Sequence, residues 1–179
     1  MLHFHKAELV DAQEIATLIN SAYRGESSRA GWTTEADLLD GLRTTTPEIG
    51  AIIKREDAFI LIGVVNDQIV ATVCCELQMI AGKSTAHFGM IAVKPSLQNR
   101  GYGAEIIHAA EAMTLRQWRV AGFHMAVISI RNELIAFYER LGFLRTGEFK
   151  DFPVEPGLWQ PKVEGLNLEY LVKVIGKNS

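Results

Sequence analysis

The chain has 179 residues, an apolar content of 48% and a formal net charge of −3. A chain of this length fits one domain, which can bury about 70% of the surface that the unfolded chain exposes, so no metal or disulfide is needed for stability. Acidic and basic residues are mixed along the sequence and no long basic block occurs, which argues against a nucleic-acid partner. We expect a single domain over residues 1–179.

The sequence shows no membrane-spanning or secretory pattern. The N-terminus lacks the apolar core of a signal peptide, and the longest apolar stretch, residues 59–65, is too short to cross a bilayer. The two cysteines, Cys74 and Cys75, are adjacent, so on a strand they point to opposite faces and are poorly placed to share a metal. We expect a cytoplasmic protein with buried thiols, no metal site and no membrane partner.

The first predicted elements are a strand and a helix. Residues 2–8 alternate loosely between apolar and polar types, as in a strand. Asp11 and Glu14 have the spacing of a capping box, which predicts a helix that runs to about Tyr23. Its apolar stripe consists of Ile15, Leu18, Ile19 and Ala22.

Two further helices are predicted before the main run of strands. Residues 24–34 are polar and contain glycine and serine, so they are expected to form a loop. Thr34 followed by Asp37 indicates a second capped helix, with Leu38, Leu39 and Leu42 as its apolar residues. Thr46-Pro47 indicates a third helix start, with proline at the first helical position.

The hydrophobic period then changes from helical to strand-like. Residues 58–65 and 69–77 are rich in β-formers and are separated by Asn66-Asp67, which predicts a hairpin. Residues 85–93 form a third strand of the same type.

The second half of the chain alternates helices with strands. Two helices are predicted at residues 102–121, with Gly122 as a stop, and at residues 132–141. Three strands are predicted at residues 124–130, 143–149 and 166–174, with a long loop at residues 153–165 before the last of them. This order predicts a mixed α/β sheet whose second half contains parallel crossovers.

A candidate phosphate site lies where the strand ending at Val93 gives way to a helix. The start of a helix offers unpaired N–H groups and a partial positive charge, and Gly101 and Gly103 let the backbone approach a ligand closely. Arg100 adds a fixed positive charge. An ordinary tight turn is the alternative. A Walker A loop is excluded because Leu77 occupies its first glycine position, and the dinucleotide GxGxxG pattern fails after Gly103.

Two segments resemble one known family. Residues 98–103, QNRGYG, resemble the Q/R-x-x-G-x-G/A signature of the GNAT acetyltransferase superfamily, and they sit between a strand and a long helix as that signature should. Residues 132–143 resemble the family's N-x-x-A-x-x-F/L-Y-x-x-x-G-F segment. The resemblance implies an α/β GNAT fold with about seven strands and four to five helices. It also implies acetyl-CoA as acyl-donor cosubstrate, with no metal.

The resemblance also implies a set of cofactor-binding residues. The end of the strand would bond the pantetheine arm through its backbone, the signature would hold the pyrophosphate, and the start of the next helix would contact either region. The residues concerned are Ile91, Ala92, Val93, Gln98, Asn99, Arg100, Gly101, Tyr102, Gly103, Ala104, Asn132 and Tyr138.

The catalytic assignments follow from the same resemblance. Tyr138 would lie near the acyl sulfur and act as general acid toward the leaving thiolate, the alternative being a core aromatic residue of an amphipathic helix. His87 falls where histone-modifying relatives place a catalytic glutamate and could serve as base. A histidine paired within the sheet is the alternative for His87. Glu76 is a second candidate base, and a water chain without a single base is a third arrangement.

The acceptor site is expected in the parts that vary within the family, here residues 23–34 and 153–165. Tyr23, Arg24, Arg29 and Trp32 could line it, and the arginines would favour an acceptor with a carboxylate. Solvated loop charges beside an anchoring tryptophan are the alternative.

The resemblance thus implies an N-acetyltransferase that uses acetyl-CoA. A primary amine of a small molecule or peptide would attack acetyl-CoA directly in a ternary complex. The alternative is a catalytically silent acyl-CoA sensor or interaction module. A homodimer is compatible with the resemblance, because many relatives dimerise.

Overall fold

The computed structural model describes residues 1–176, which form a seven-stranded sheet, a two-stranded sheet and four α-helices. The strands are β1 (His3–Lys6), β2 (Leu39–Gly41), β3 (Ala58–Val65), β4 (Gln68–Ile80), β5 (Lys83–Val93), β6 (Gly122–Ile128), β7 (Leu144–Asp151), β8 (Trp159–Pro161) and β9 (Asn167–Val174). The main sheet has the order β1-β3-β4-β5-β6-β9-β7, and only β5 and β6 pair in parallel. The predicted mixed α/β fold is confirmed.

The helices cover both faces of the main sheet. They are α1 (Ala12–Tyr23), α2 (Thr46–Ile53), α3 (Tyr102–Gln117) and α4 (Asn132–Arg140). Helices α1 and α2 share one core cluster with Cys74, whereas α3 and α4 share another with Cys75. The two thiols are buried on opposite faces as the strand period requires, and burial raises the pKa of Cys74 to about 12.

Helix α1 buries the predicted apolar stripe but begins differently from the prediction. Asp11 accepts a hydrogen bond from the Glu8 N–H at 2.8 Å, so the capping box lies one turn earlier, around a short 3-10 turn. Glu14, the predicted partner of Asp11, instead accepts a bond from the N–H of Ile69 at 3.0 Å. The carboxylate that sequence spacing assigns to a cap therefore ties α1 to β4.

The predicted helix over residues 34–42 is wrong. Leu39–Gly41 is strand β2, which pairs antiparallel with β8 inside the predicted loop 153–165. Gly41 has a φ of +94°, and a Cβ there would lie 2.1 Å from the Leu158 carbonyl oxygen. Leu39 is buried against Ile128. A distant pairing therefore overrides a local helix signal.

The long helix also ends earlier than predicted. Helix α3 stops at Gln117, and Trp118 is already extended. Gly122, the predicted helix stop, begins β6, where an added Cβ would meet the carbonyl oxygen of Lys173 at 2.6 Å. Its glycine is therefore required by close strand approach and not by a helix terminus.

Strand β5 carries a bulge that shapes the middle of the sheet. Met90 and Ile91 together oppose one residue of β4, and Met90 has a φ of +48°, a left-handed conformation that side chains disfavour. Strand β5 pairs with β6 only at Ala86 and His87. Beyond His87 the two parallel strands separate, and the β5 edge that faces β6 has no strand partner within residues 1–176.

Candidate functional site

Two cavities meet where β5 and β6 separate. The large cavity, of about 490 Å³, lies at the start of α3 and along α4. The small cavity, of about 250 Å³, lies between β5, β6, the end of α1 and the Phe152–Trp159 region. Four residues line both cavities, namely Tyr23, Ile91, Leu134 and Tyr138. A ligand in either cavity would therefore approach Tyr138.

Free backbone amides lie at the edge of the large cavity. Within residues 1–176, the N–H groups of residues 99–104 have no acceptor, and the first bond of α3 runs from Glu105 N to the Gly101 oxygen at 3.0 Å. Asn99 and Gly101 have φ values of +63° and +87°, so the loop turns these amides through left-handed conformations. This arrangement is suited to a phosphate group.

Most of the predicted cofactor-binding residues line the large cavity. They are Ile91, Val93, Gln98, Asn99, Gly101, Tyr102, Gly103, Ala104 and Tyr138. Arg100 is exposed and Asn132 is the exposed first residue of α4, and neither side chain lines the cavity. Ala92 is buried in the α1 cluster on the other face of the sheet.

Gln98 fixes the loop that closes the large cavity. Its Nε2 donates to the Val93 oxygen at 3.1 Å and to the Thr33 hydroxyl at 2.9 Å, and its Oε1 accepts from Trp32 N at 2.8 Å. A Cβ at Gly31 would lie 2.5 Å from this Oε1. The side chain therefore joins the end of β5 to residues 31–33.

Tyr138 and Tyr23 lie at the junction of the two cavities, and their hydroxyl groups differ in hydrogen bonding. The Tyr23 hydroxyl donates to the carbonyl oxygen of Ile91, and burial raises its pKa to about 12. The Tyr138 side chain is buried, and its hydroxyl has no hydrogen-bond partner within residues 1–176. Burial, reinforced by Tyr23, raises the pKa of Tyr138 well above its ordinary value. Tyr138 therefore keeps its proton at neutral pH and has it free to donate.

The two candidate bases lie opposite each other on β4 and β5 but have different surroundings. His87 lines the small cavity, 4.9 Å from the ring centre of His124, and burial followed by the charges of Lys150 and Arg43 lowers its pKa to about 4. It is uncharged at neutral pH and a weak base. Glu76 is paired with Arg55 at 2.5 Å and lines neither cavity.

The small cavity is lined by more cations than sequence inspection indicated. Arg24, expected near the acceptor, lies in its wall with Arg43, Arg131 and Lys150, and Glu35 is the one carboxylate there within residues 1–176. No spacing in the sequence connects these five positions, because the fold brings them from separate segments.

Two other residues expected at the acceptor site lie elsewhere. Arg29 is held at the surface by Glu26 and Asp37, at 3.0 and 2.8 Å. Trp32 lines the large cavity, where its ring lies 5.8 Å from that of Phe137.

Within residues 1–176, none of the helices is long and apolar enough to cross a bilayer. The same part of the chain has no cluster of three His, Cys, Asp or Glu side chains that could hold a metal.

Several solved structures share the fold of this chain. A probable acetyltransferase from Staphylococcus epidermidis superposes with a TM-score of 0.73 at 15% identity, covering 98% of this chain and 100% of that one. The ribosomal-protein-S18-alanine N-acetyltransferase of Escherichia coli gives 0.66 at 17% identity, covering 100% and 99%. A chain of the NatC complex bound to Gag peptide and CoA gives 0.68 at 11% identity, covering 98% and 99%.

These identities are low, so the superpositions show a shared fold. A comparison with curated proteins gives no significant sequence match. The profile of the Acetyltransferase (GNAT) family, however, matches residues 13–143, most of the chain. The chain therefore belongs to the GNAT acetyltransferase family.

Proposed function

We propose that the protein is an acetyl-CoA-dependent N-acetyltransferase that acts on a primary amine of a small molecule or peptide in a ternary complex. The observation that carries this proposal is the meeting of two cavities at Tyr138, between strands that separate after His87. One cavity presents free backbone amides and the other presents charged side chains. Donor and acceptor would thus reach the same hydroxyl from two sides.

The large cavity offers hydrogen-bonding groups that match those of CoA. The amides of residues 99–104 can receive a pyrophosphate, and the β5 edge beyond His87 can bond the amides of a pantetheine arm. The NatC complex, one chain of which shares this fold, is bound to Gag peptide and CoA. Acetyl-CoA would supply an activated acetyl group, whose carbonyl a neutral amine can attack with loss of the CoA thiol.

Tyr138 acts as the general acid in this proposal. Its raised pKa keeps the phenol protonated, and the hydroxyl is free to give its proton to the departing sulfur. Tyr23 is the less suitable donor, because its hydroxyl is already bonded to Ile91.

His87 receives the amine proton in the same scheme, directly or through water, since it lines the acceptor side and is neutral at physiological pH. Its low pKa limits its contribution, so we expect the amine to enter largely deprotonated. Glu76 has no part in the scheme, because its carboxylate is paired with Arg55 and lines neither cavity.

Calorimetry with acetyl-CoA, followed by thiol release across a panel of amines, tests the proposal. Tyr138→Phe should bind acetyl-CoA like the parent protein and lower kcat by about a hundredfold. Tyr23→Phe is the matched control, and its kcat should fall much less. Absence of acetyl-CoA binding at millimolar concentration would refute the proposal. Tight binding without thiol release on any amine would favour an acyl-CoA sensor.

A further inference from the structure

One carboxylate holds two of the arginines in the small cavity. Glu35 Oε2 lies 3.3 Å from Arg24 Nε, and Glu35 Oε1 lies 3.6 Å from an Arg131 terminal nitrogen. All three side chains are largely buried. The Arg131 nitrogen that faces Glu35 makes no hydrogen bond within residues 1–176. This triad carries one net positive charge and leaves a buried donor unused.

The other two cations of the small cavity have no acidic partner. Within residues 1–176, neither Arg43 nor Lys150 has a carboxylate within 4.0 Å, although both line the cavity. The Lys150 ammonium lies 5.5 Å from the ring centre of Tyr170. Two free cations thus face the same space as the charged triad.

Arg43 is held in this place by helix α1. The side-chain oxygen Oδ1 of Asn20 accepts from the backbone N–H groups of Arg43 and Thr44 at 2.8 and 3.1 Å, and its Nδ2 donates to the Thr44 carbonyl oxygen at 3.0 Å. The backbone of Arg43 is therefore fixed while its guanidinium stays unpaired. A fixed fork of N–H donors is the usual partner of a carboxylate.

We propose that the acceptor is a small amine that also carries a carboxylate, bound by Arg43 with help from Lys150. This inference rests on the proposed function and specifies its substrate class. Residues 1–176 line the small cavity with four cations and one carboxylate, so an uncharged amine would leave three of these positive charges uncompensated.

The same charges favour the reactive form of the acceptor. A positive potential disfavours an ammonium ion and so lowers the pKa of a bound amine. His87 reports this potential, since Lys150 and Arg43 follow burial among the causes that lower its pKa. The cavity can therefore bind the acid group and release the amine proton without a strong base.

The size of the cavity limits the acceptor further. Its volume of about 250 Å³ is below the range of about 300–1,000 Å³ that is usual for drug-sized ligands. Phe152 and Trp159, whose ring centres lie 6.5 Å apart, form its apolar wall. A free amino acid or similar amino acid-sized compound fits these limits.

The test compares acceptors that differ only in the acid group. One such set consists of L-leucine, L-leucinamide and isopentylamine. A second consists of L-phenylalanine, L-phenylalaninamide and phenethylamine. β-Alanine and O-phosphoethanolamine are tested as further acceptors. We expect kcat/KM for the better amino acid to exceed that of its amide by about tenfold or more. Arg43→Gln should reduce this acid-to-amide ratio to about threefold or less. Arg29→Gln, which changes a surface cation outside the cavity, should leave it unchanged.

Amides or parent amines that react as well as the acids, or a phosphate acceptor that reacts better, would overturn the inference while leaving acetyl transfer intact. If no compound reacts, N-acetyl-leucine and N-acetyl-phenylalanine are titrated into the CoA-loaded protein by calorimetry. Binding that weakens about tenfold in Arg43→Gln would support the carboxylate site, and no binding to the parent protein would refute it. Failure of the proposed function differs from both results, because acetyl-CoA itself would not bind.

Discussion

The two cavities that meet at Tyr138 differ in the chemical groups that line them. The large cavity presents backbone amides from one continuous segment, residues 99–104. The small cavity presents side-chain charges from the residue after α1, from residues 35–43, from the residue before α4 and from β7. Backbone recognition depends on loop conformation and is nearly independent of side-chain identity. Side-chain recognition can change with any one of several positions, so a shared fold can keep one cofactor and vary its acceptor.

We expect the greatest loss of affinity when the free backbone amides of the large cavity are disturbed. Gly101→Val places a branched side chain at a φ of +87° beside the free amides. We expect the acetyl-CoA dissociation constant, measured by calorimetry, to rise at least about a hundredfold, because two or more hydrogen bonds to a charged group would be lost.

Gly82→Val separates ligand loss from backbone strain. Gly82 has a φ of +75° in the β4–β5 turn, where an added Cβ would have nothing within 4 Å, and at Gly101 it would meet the Glu105 carboxylate oxygen at an ordinary contact distance of 3.9 Å. Both variants should lose similar thermal stability, but Gly82→Val should bind acetyl-CoA like the parent protein. Equal loss of affinity in the two variants would show that the amides of residues 99–104 are not the pyrophosphate site.

A smaller loss of acetyl-CoA affinity is expected when the loop held by Gln98 is loosened. Gln98→Ala removes three hydrogen bonds that connect β5 with residues 31–33, and none of them goes to the ligand we propose. Acetyl-CoA affinity should fall by about tenfold, because binding must then order a loosened loop. Faster amide hydrogen exchange at residues 31–33 should accompany the loss. An unchanged exchange rate would contradict this account of Gln98.

The smallest expected effect is on the pH dependence of thermal stability, through His87 in the small cavity. The pKa of His87 is about 4 in the folded protein and about 6.5 when the chain is unfolded, so the unfolded state binds more protons between these values. This contribution to stability is complete above pH 6.5 and is lost as the pH falls toward 4. We expect His87→Gln to reduce the fall in Tm over this range by ~5 °C. His108→Gln, at an exposed position, should follow the parent protein, and an identical slope for His87→Gln would contradict the lowered pKa.

Much of the fold could be predicted from local pattern. The α1 stripe, the Asn66-Asp67 hairpin and the alternation of strands and helices after residue 80 each have a short-range signature, and the structure confirms them. The segment around Leu39 could not be predicted in this way. Its pairing with β8 joins residues about 120 positions apart, and the local leucine pattern favours a helix.

The same distinction between local and long-range signals applies to the candidate site. The glycine signature predicts the free amides because turn geometry is encoded in adjacent residues. The pairing of Glu35 with Arg24 and Arg131, and the exposure of Arg43 to the same cavity, depend on where distant segments meet. Arg24 and Arg29 are similar in sequence context, yet one lines the cavity and the other is bound at the surface.

The bulge at Met90 makes this site sensitive to chain length as well as to composition. The extra residue in β5 lets Phe88 and Ile91 share the α3 face although an odd number of positions separates them. Without the bulge, regular alternation at the same chain length would move Ile91 and Val93 to the face now occupied by Ala92. We therefore expect a one-residue insertion between Phe88 and Ile91 to turn Ile91 and Val93 away from the cavities that they line.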